Sequence, residues 1–476
     1  MKHRRVAAAA AAVTARVLMA AMLVTGVAGI ALAHATLRRA DPPAGSHIPR
    51  PPQVLRLEFS EAVSPATSRI DLVSPDSQRL AMALRGDDAN RNVLIAEVPV
   101  LTDAGAYRVE WRLIGPDGHA VSGRYVFSID SIPVAASTPV DTSPTSPPIQ
   151  PALGAFAPDA IFQVLARFLS TLSITLLIGM TVSALLVLPR AHMPPHVAGD
   201  LRRRVDMLAA RWVLACLWAV LVIAVVRLLS QGAALGGSIG SINSSTLAGI
   251  VTATSWGRAW VVMVAASLAG LAMLIRARGT DSPVPWRKLV LVCAGLALAL
   301  PFLGHPAAAT AATTAIALDA VHVVAAGGWA GTILALTLVA LPAAFALDQR
   351  ERVGTLRLML QAFTPVALAC ASLLVLTGAA EAWIQLGSAV ALWSTPYGLS
   401  LVRKLVFVVA VAALGAWHWR IAQPRLDNDT SVGSLRRSLA LDVAMVICVL
   451  TLTAFLTGTP PPSDLPHTPP VTTIPF

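Results

Sequence analysis

The sequence predicts two units of different class, an all-β exported domain followed by an all-α polytopic membrane domain of about eight transmembrane helices. Three observations lead to that division. Of 476 residues, 55 % are hydrophobic and only 13 % charged, a balance that ordinary soluble chains do not carry. Strict period-two alternation of apolar and polar residues is confined to the first part of the chain. Beyond residue 160, eight apolar runs of near-spanning length follow one another.

Residues 1–33 read as a secretory signal peptide. Lys2, Arg4 and Arg5 precede an Ala/Val/Leu/Met run, and Ala31-Leu32-Ala33 puts small residues at the two positions a signal peptidase reads. Cleavage there makes His34 the first residue of the mature chain. Residues 34–130 then alternate as strands do. Leu55, Leu57 and Phe59 oppose Arg56 and Glu58; Tyr107, Val109, Trp111 and Leu113 oppose Arg108, Glu110 and Arg112; "RYVFSI" adds a further short strand. Turn signals separate these runs, and about 97 residues suffice for one core, so a small antiparallel β-sandwich or barrel is the economical reading. Residues 131–158, rich in Pro, Ser and Thr, read as an extended tether.

The apolar runs lie at about 165–188, 207–229, 256–275, 289–304, 317–341, 362–381, 400–419 and 439–457, each near the length that crosses a bilayer. The fourth is short and interrupted by Pro301, Gly304 and Pro306; a broken helix is tolerated there mainly where it lines a cavity. A membrane domain is therefore expected over 159–460, with a Pro-rich tail at 461–476. The formal charge of +11 is a topology signal. From His34 to Asp130 there are 11 Arg against 12 Asp plus Glu, so the exported part is nearly neutral and nucleic acid is not an expected partner. Loops 189–211, 276–288, 343–361 and 418–438 carry 5, 4, 3 and 4 Lys plus Arg, whereas 230–257, 305–316 and 382–399 carry none. The alternation puts both ends of the membrane domain outside, in agreement with the signal peptide. Cys216, Cys293, Cys370 and Cys448 all fall inside apolar runs; no disulfide framework is implied, and thiols there pack as small apolar residues more often than they relay metal.

An N-terminal histidine can close a six-membered chelate around one metal ion with its α-amine and ring Nδ1, a nitrogen pair suited to Cu(II). Some residue must follow every cleavage site, so His34 alone decides nothing. In "GPDGH", residues 115–119, the Asp-Gly pair forms a turn between two strands. Asp117 and His119, two apart on an extended backbone, point the same way, and with His34 complete an N,N,N,O set. Glu61, in "FSEAV", is a further carboxylate, either an axial ligand or a solvated strand-end residue. His47, in a Gly/Ser/Pro-rich loop, reads as a bystander.

These residues also carry a resemblance. "HATLRRADPPAGS", "PPQVLRLEFSEAV" and "AGAYRVEWRLIGPDGHAVSGRYVFSI" resemble the CopC family of periplasmic copper-binding β-sandwiches over 34–130. The resemblance implies an Ig-like or cupredoxin-like sandwich in which His34, Asp117 and His119 bind Cu(II), with Glu61 an extra ligand. Some members carry a Met-rich loop for Cu(I); this segment has only Met82, which argues against a Cu(I) site here. The remainder resembles the CopD family over roughly 160–460, through "TSWGRAW", "GHPAA", "DAVHVVAAGGWAGTILAL", "TPYGLSLVRKL" and "LRRSLALDVAMVICVLTLTAFLTGTPPP" in that order. The whole chain looks like the CopC/CopD fusion proteins of bacterial copper homeostasis, which implies a multi-pass protein of the bacterial inner membrane with its β domain on the extracytoplasmic side.

Within the membrane runs, Asp319 and His322 are spaced to share a helix face. His305 lies beside the broken fourth run and Glu381 ends the sixth on the same side. Ionisable residues at that depth are costly and usually functional, so the four make a candidate outer mouth for copper, Cu(I) being the form that crosses most easily. They also read as interfacial residues reaching water. The "AGGWAG" segment with Trp329 reads as close helix packing, and His418, between Trp417 and Trp419, as a member of an aromatic belt. The leading expectation is a copper transporter rather than an enzyme, with copper and the bilayer as its partners. The outward capture domain argues for inward transport, and a separate copper reductant or chaperone is a further partner. No "GxxxxGK[ST]" is present to drive a pump with nucleotide. Two rivals stay open: a haem-binding membrane redox protein, since paired transmembrane histidines can ligate haem, and a copper sensor or storage protein without transport. The topology has a direct check. Cysteines introduced at Ser241 and Ser388 should label from outside intact cells, and those at Ser282 and Ser431 only after permeabilisation; the reverse pattern would refute eight spans with this orientation.

Overall fold

The computed structural model describes residues 36–101, 103–115, 120–130, 158–279, 283–303, 312–426, 429–459 and 462. The strands are β1 (Leu37–Asp41), β2 (His47–Ile48), β3 (Val54–Phe59), β4 (Ser68–Val73), β5 (Arg79–Ala81), β6 (Ala83–Gly86), β7 (Val93–Glu97), β8 (Gly105–Ile114) and β9 (Ala120–Ile129). They form two sheets, of order β1-β3-β7-β6 and β2-β9-β8-β4-β5. All pairs are antiparallel except β2 with β9.

The alternation in the sequence becomes the sandwich core. Leu55, Leu57 and Phe59 of β3 and Tyr107, Val109, Trp111 and Leu113 of β8 are each at most 5 % exposed. The intervening polar positions of the second sheet pair with each other: Arg69 and Arg79 with Asp71, Arg79 and Arg108 with Glu110. Much of the domain's balanced charge is used in this way. Trp111 meets Phe59 edge-on, with ring centroids 5.2 Å apart, and lies opposite Gly123 in the β8–β9 register. A Cβ at Gly123 would overlap the indole, so the glycine is there to admit the ring.

The helices are α1 (Ile161–Arg190), α2 (Pro195–Gly236), the short α3 (Ser244–Ala253), α4 (Ser255–Ala277), α5 (Trp286–Leu303), α6 (Thr313–Ala344), α7 (Gln349–Leu386), α8 (Pro396–Ala422) and α9 (Thr430–Leu456). Among the described residues, eight of these are long and apolar enough to cross a membrane, one for each apolar run. Helices α1 and α6 cross where Gly179 and Gly331 meet backbone to backbone; a Cβ on Gly179 would overlap Gly331, and one on Gly331 would overlap Thr175 O. Gly327 sits under Ile178 and Gly328 faces Cys370 Sγ. The "AGGWAG" glycines thus serve close packing, which in lipid replaces the hydrophobic drive that holds helices together in water. Helix α6 contains two π-helical stretches, Gly327–Gly331 and Leu336–Ala340, and α8 ends in another, His418–Ala422. The four cysteines are free.

The sandwich rests on one end of the bundle. Arg112 of β8 lies against Gly237 beyond α2, Ala66 packs on Gly249 of α3, and Ile114 joins the buried apolar cluster of the helices. This end of the bundle is the β-domain end; the opposite one is the far end. A Gly123→Val variant should destabilise the sandwich by about 1–3 kcal/mol through overpacking against Trp111. Thermal unfolding of the full chain followed by Trp fluorescence measures it, and an unchanged midpoint would refute the close approach.

Candidate functional site

The sequence points to two sets of residues, and the fold treats them differently. His34, Asp117 and His119 lie outside the described residues, but the chain on either side of them is placed. Thr36 N–H donates to Ser60 Oγ at 2.9 Å, and Ser60 N–H donates to Thr36 O at 2.9 Å. The strand that follows His34 is therefore tied to the residue before Glu61. The segment after Glu61 leads to the turn Pro65–Thr67, and Thr67 Oγ1 donates to Ile114 O at 3.1 Å. Ile114 pairs with Ala120 at the ends of β8 and β9, which flank 116–119. Thr36, Glu61, Ile114 and Ala120 thus converge on one end of the sandwich, and Ile114 is the residue that enters the apolar cluster of the helices. His47 is elsewhere, exposed and 3.3 Å from Asp130 Oδ1, as a bystander would be.

At the β-domain end of the bundle, α6, α7 and α8 bring Asp319, His322, Glu381 and Lys404 together. Each is partly buried. With a rise of 1.5 Å per residue they stand about 8 to 14 Å from the nearest helix end. Lys404 is the cation that acts on Asp319, His322 and Glu381, and no residue of the sequence reading had that role. Its signal was available: Arg403-Lys404 interrupts the seventh apolar run. His305 is outside the described residues. Among those described, no group of three or more His, Cys, Asp and Glu is arranged to hold a metal ion; the two carboxylates feel the Lys404 charge through space.

His322 has a defined orientation. Thr377 Oγ1 stands 2.8 Å from Leu373 O and 2.9 Å from His322 Nδ1. When its single hydrogen goes to Leu373 O it accepts from Nδ1–H, and in that tautomer of the neutral ring Nε2 keeps a lone pair available to a metal. Gly378 makes room for the ring: a Cβ there would lie 3.2 Å from His322 Cε1.

The far end of the bundle holds a second polar group that the sequence reading passed over. His418 Nδ1 is 3.1 Å from Asp442 Oδ2 and His418 Nε2 is 2.7 Å from Ser438 Oγ. The aromatic-belt reading of His418 is corrected accordingly: its ring turns inward to a carboxylate that is 2 % exposed. A lone Asp inside the last apolar run was the signal for this pair.

The chain matches three families: CopC domain over residues 37–130, Copper resistance protein D-like, N-terminal domain over 157–315, and Copper resistance protein D over 357–456. Copper transport protein CutJ of Bacillus subtilis (strain 168) is 24 % identical over 440 residues, spanning 91 % of this chain and 75 % of that protein. Copper resistance protein C of Escherichia coli is 32 % identical over 116 residues, spanning 22 % of this chain and 90 % of that protein. The crystal structure of CopC from Methylosinus trichosporium OB3b aligns at 29 % identity over 22 % of this chain and 100 % of that one, with a TM-score of 0.21.

Replacing Lys404 by Met should lower the melting temperature of the detergent-solubilised protein, because Asp319 and Glu381 lose the cation that faces them in an apolar setting. Adding Asp319→Asn should recover part of the loss. A Lys404→Met protein that melts like the parent would show that the three charges are not coupled.

Proposed function

Because the chain belongs to the CopC/CopD copper-resistance family, as a fusion of its two modules, we propose that it captures Cu(II) outside the membrane and passes copper inward through its helices. The capture site is the His34 amine and ring with Asp117 and His119, and Glu61 adds a carboxylate. The observation that carries this reading is the seat of the sandwich. The end on which the segments flanking these residues converge is the end held against the membrane domain, by Ile114, Ala66 and Arg112. Copper released there has a short path to the helices.

His322 Nε2 is the receiving ligand at the outer mouth, with Asp319 and His305 as its companions. Lys404 offsets the charge of one of the two neighbouring carboxylates until a cation arrives. An amine, two imidazoles and a carboxylate prefer Cu(II), whereas passage through a lightly charged site is easier for Cu(I). Since neither domain clusters Met or Cys at the proposed sites, reduction is the task of a separate reductant. The β domain lies on the extracytoplasmic face of a bacterial inner membrane in this reading. For the rival haem reading, His322 and His418 are the described histidines that fall within apolar runs, and they stand at opposite ends of the bundle.

Copper accumulation measured over a range of external copper tests the proposal. His34→Ala should accumulate less than the parent when copper is scarce and approach it when copper is in excess. His322→Ala should leave Cu(II) capture intact, read from the electron paramagnetic resonance spectrum, while abolishing accumulation. Parent-like accumulation by His322→Ala would refute the outer mouth, and higher copper in both variants would reverse the direction.

A further inference from the structure

We propose that His418 and Asp442 form a one-proton site that couples the passage of copper to protons, an inference that rests on the transport reading above. Hydrogen-bond bookkeeping at the far end of the bundle leads to it. Ser438 Oγ donates to Leu435 O at 2.9 Å. A hydroxyl has one hydrogen to give: when it goes to Leu435 O, His418 Nε2, 2.7 Å away, brings a hydrogen of its own, and when Ser438 turns to donate to Nε2 the ring needs none there. The other ring nitrogen, Nδ1, faces Asp442 Oδ2 at 3.1 Å. A carboxylate opposite a bare imidazole nitrogen would place two acceptors against each other. One proton therefore occupies the bridge, written either as imidazolium and carboxylate or as imidazole and carboxylic acid. With Nε2–H also in place both forms are neutral overall; releasing the Nε2 hydrogen as Ser438 turns its own toward that nitrogen leaves one negative charge on the pair and keeps the bridge filled.

The surroundings make that charge matter. Asp442 is 2 % exposed, its Oδ1 is buried and accepts no hydrogen bond among the described residues, and His418 is the charge that acts on it. The α6 segment Thr332–Ala340, which packs against α9, contains no ionisable residue. Of the charged groups on the other elements packed there, Arg167, Glu381, Arg403 and Lys404 belong to the β-domain end. Arg190 is turned to Leu186 O, Arg352 to Phe345 O and Leu347 O, Glu351 to His196 and Arg420 to the Trp419 ring. Arg350, Arg357, Arg436 and Arg437 are exposed. Nothing on these elements replaces the bridging proton as a partner for the carboxylate.

His418 opens the π-helical stretch His418–Ala422, and residues of that turn and the next, Trp419, Gln423 and Pro424, line an open pocket of about 430 Å³ together with Arg357, Gln361 and Thr364. An open pocket of that size with polar side chains on its wall admits water beside the turn that carries His418. In one cycle the pair releases one proton and rebinds one, its charge passing from zero to minus one and back, with no change of oxidation state. Copper moving through the bundle and the vacated charge attract each other, and that attraction is the coupling.

Two measurements on the full-length protein separate this inference from the transport reading. In the first, copper is absent. Nitrogen-15 histidine NMR across a pH series, with His418 assigned through His418→Gln, should show one proton shared with Asp442 throughout and the Nε2 hydrogen lost as the pH rises. In Asp442→Asn, where the carboxylate no longer stabilises the imidazolium, that loss should move to lower pH. Identical His418 signals in the parent and Asp442→Asn at every pH would overturn the proton site. In the second, proteoliposomes loaded with a pH-sensitive dye receive copper(II) chloride with or without ascorbate. Copper movement accompanied by proton movement in the parent, lost in Asp442→Asn and restored in Asp442→Glu, supports the coupling. Copper movement without proton movement in the parent overturns it. A parent that moves no copper overturns the transport reading and the coupling with it, while the NMR result still decides the proton site.

Discussion

An ionisable side chain held inside an apolar bundle must find its partners within the protein, and the membrane domain is organised by that constraint. Among the described residues two polar groups at opposite ends show it. At the β-domain end, Asp319 and Glu381 answer Lys404; at the far end, Asp442 answers His418. In both places the imidazole meets a hydroxyl that is also within reach of a carbonyl of its own helix, Thr377 of Leu373 O and Ser438 of Leu435 O. The nitrogen used differs. His322 binds its hydroxyl through Nδ1 and keeps Nε2 open, whereas His418 binds through Nε2 and turns Nδ1 to a carboxylate. The same two-part device therefore leaves a ligand nitrogen at one end and a proton bridge at the other.

Holding such side chains in register requires helices that do not drift, and α6 shows how this is done. It carries Asp319 and His322 and, one to three turns further on, the glycines that let α1 and α7 approach. Gly331 touches Gly179 and Gly328 faces Cys370. The two π-helical stretches of α6 fall on and beyond this crossing, where the backbone is most closely packed. Close small-residue contact thus fixes the helix whose upper turns present the polar cluster.

The exported domain obeys a different physics. Its core is an ordinary alternating sandwich, with Trp111 admitted by Gly123 and its outer face neutralised by Arg–acid pairs. Its contribution to the whole is the orientation of one end. Thr67 ties the turn before β4 to the end of β8, and Thr36 ties the start of the chain to Ser60. Segments distant in sequence are thereby brought to the surface that meets the helices.

What the sequence determined by itself was everything governed by periodicity and local composition. The period-two alternation at 54–59 and 107–113 specified which side chains form the core, and eight apolar runs specified eight helices, because burial against a sheet face or a bilayer depends on spacing along one element. The packing role of the "AGGWAG" glycines was legible for the same reason. Asp319 and His322, one helical turn apart, were readable as a shared face. Lys404 and Asp442 were visible only as interruptions in apolar runs, and nothing local said what they would meet. Their partners come from other helices, as do Thr377 for His322 and Ser438 for His418, and the seat of Ile114 among the helices comes from another domain altogether. Only the tertiary structure decided which charges neutralise each other and which ring nitrogen each histidine leaves free, because a hydrogen bond across helices is set by their packing and leaves no period in the chain.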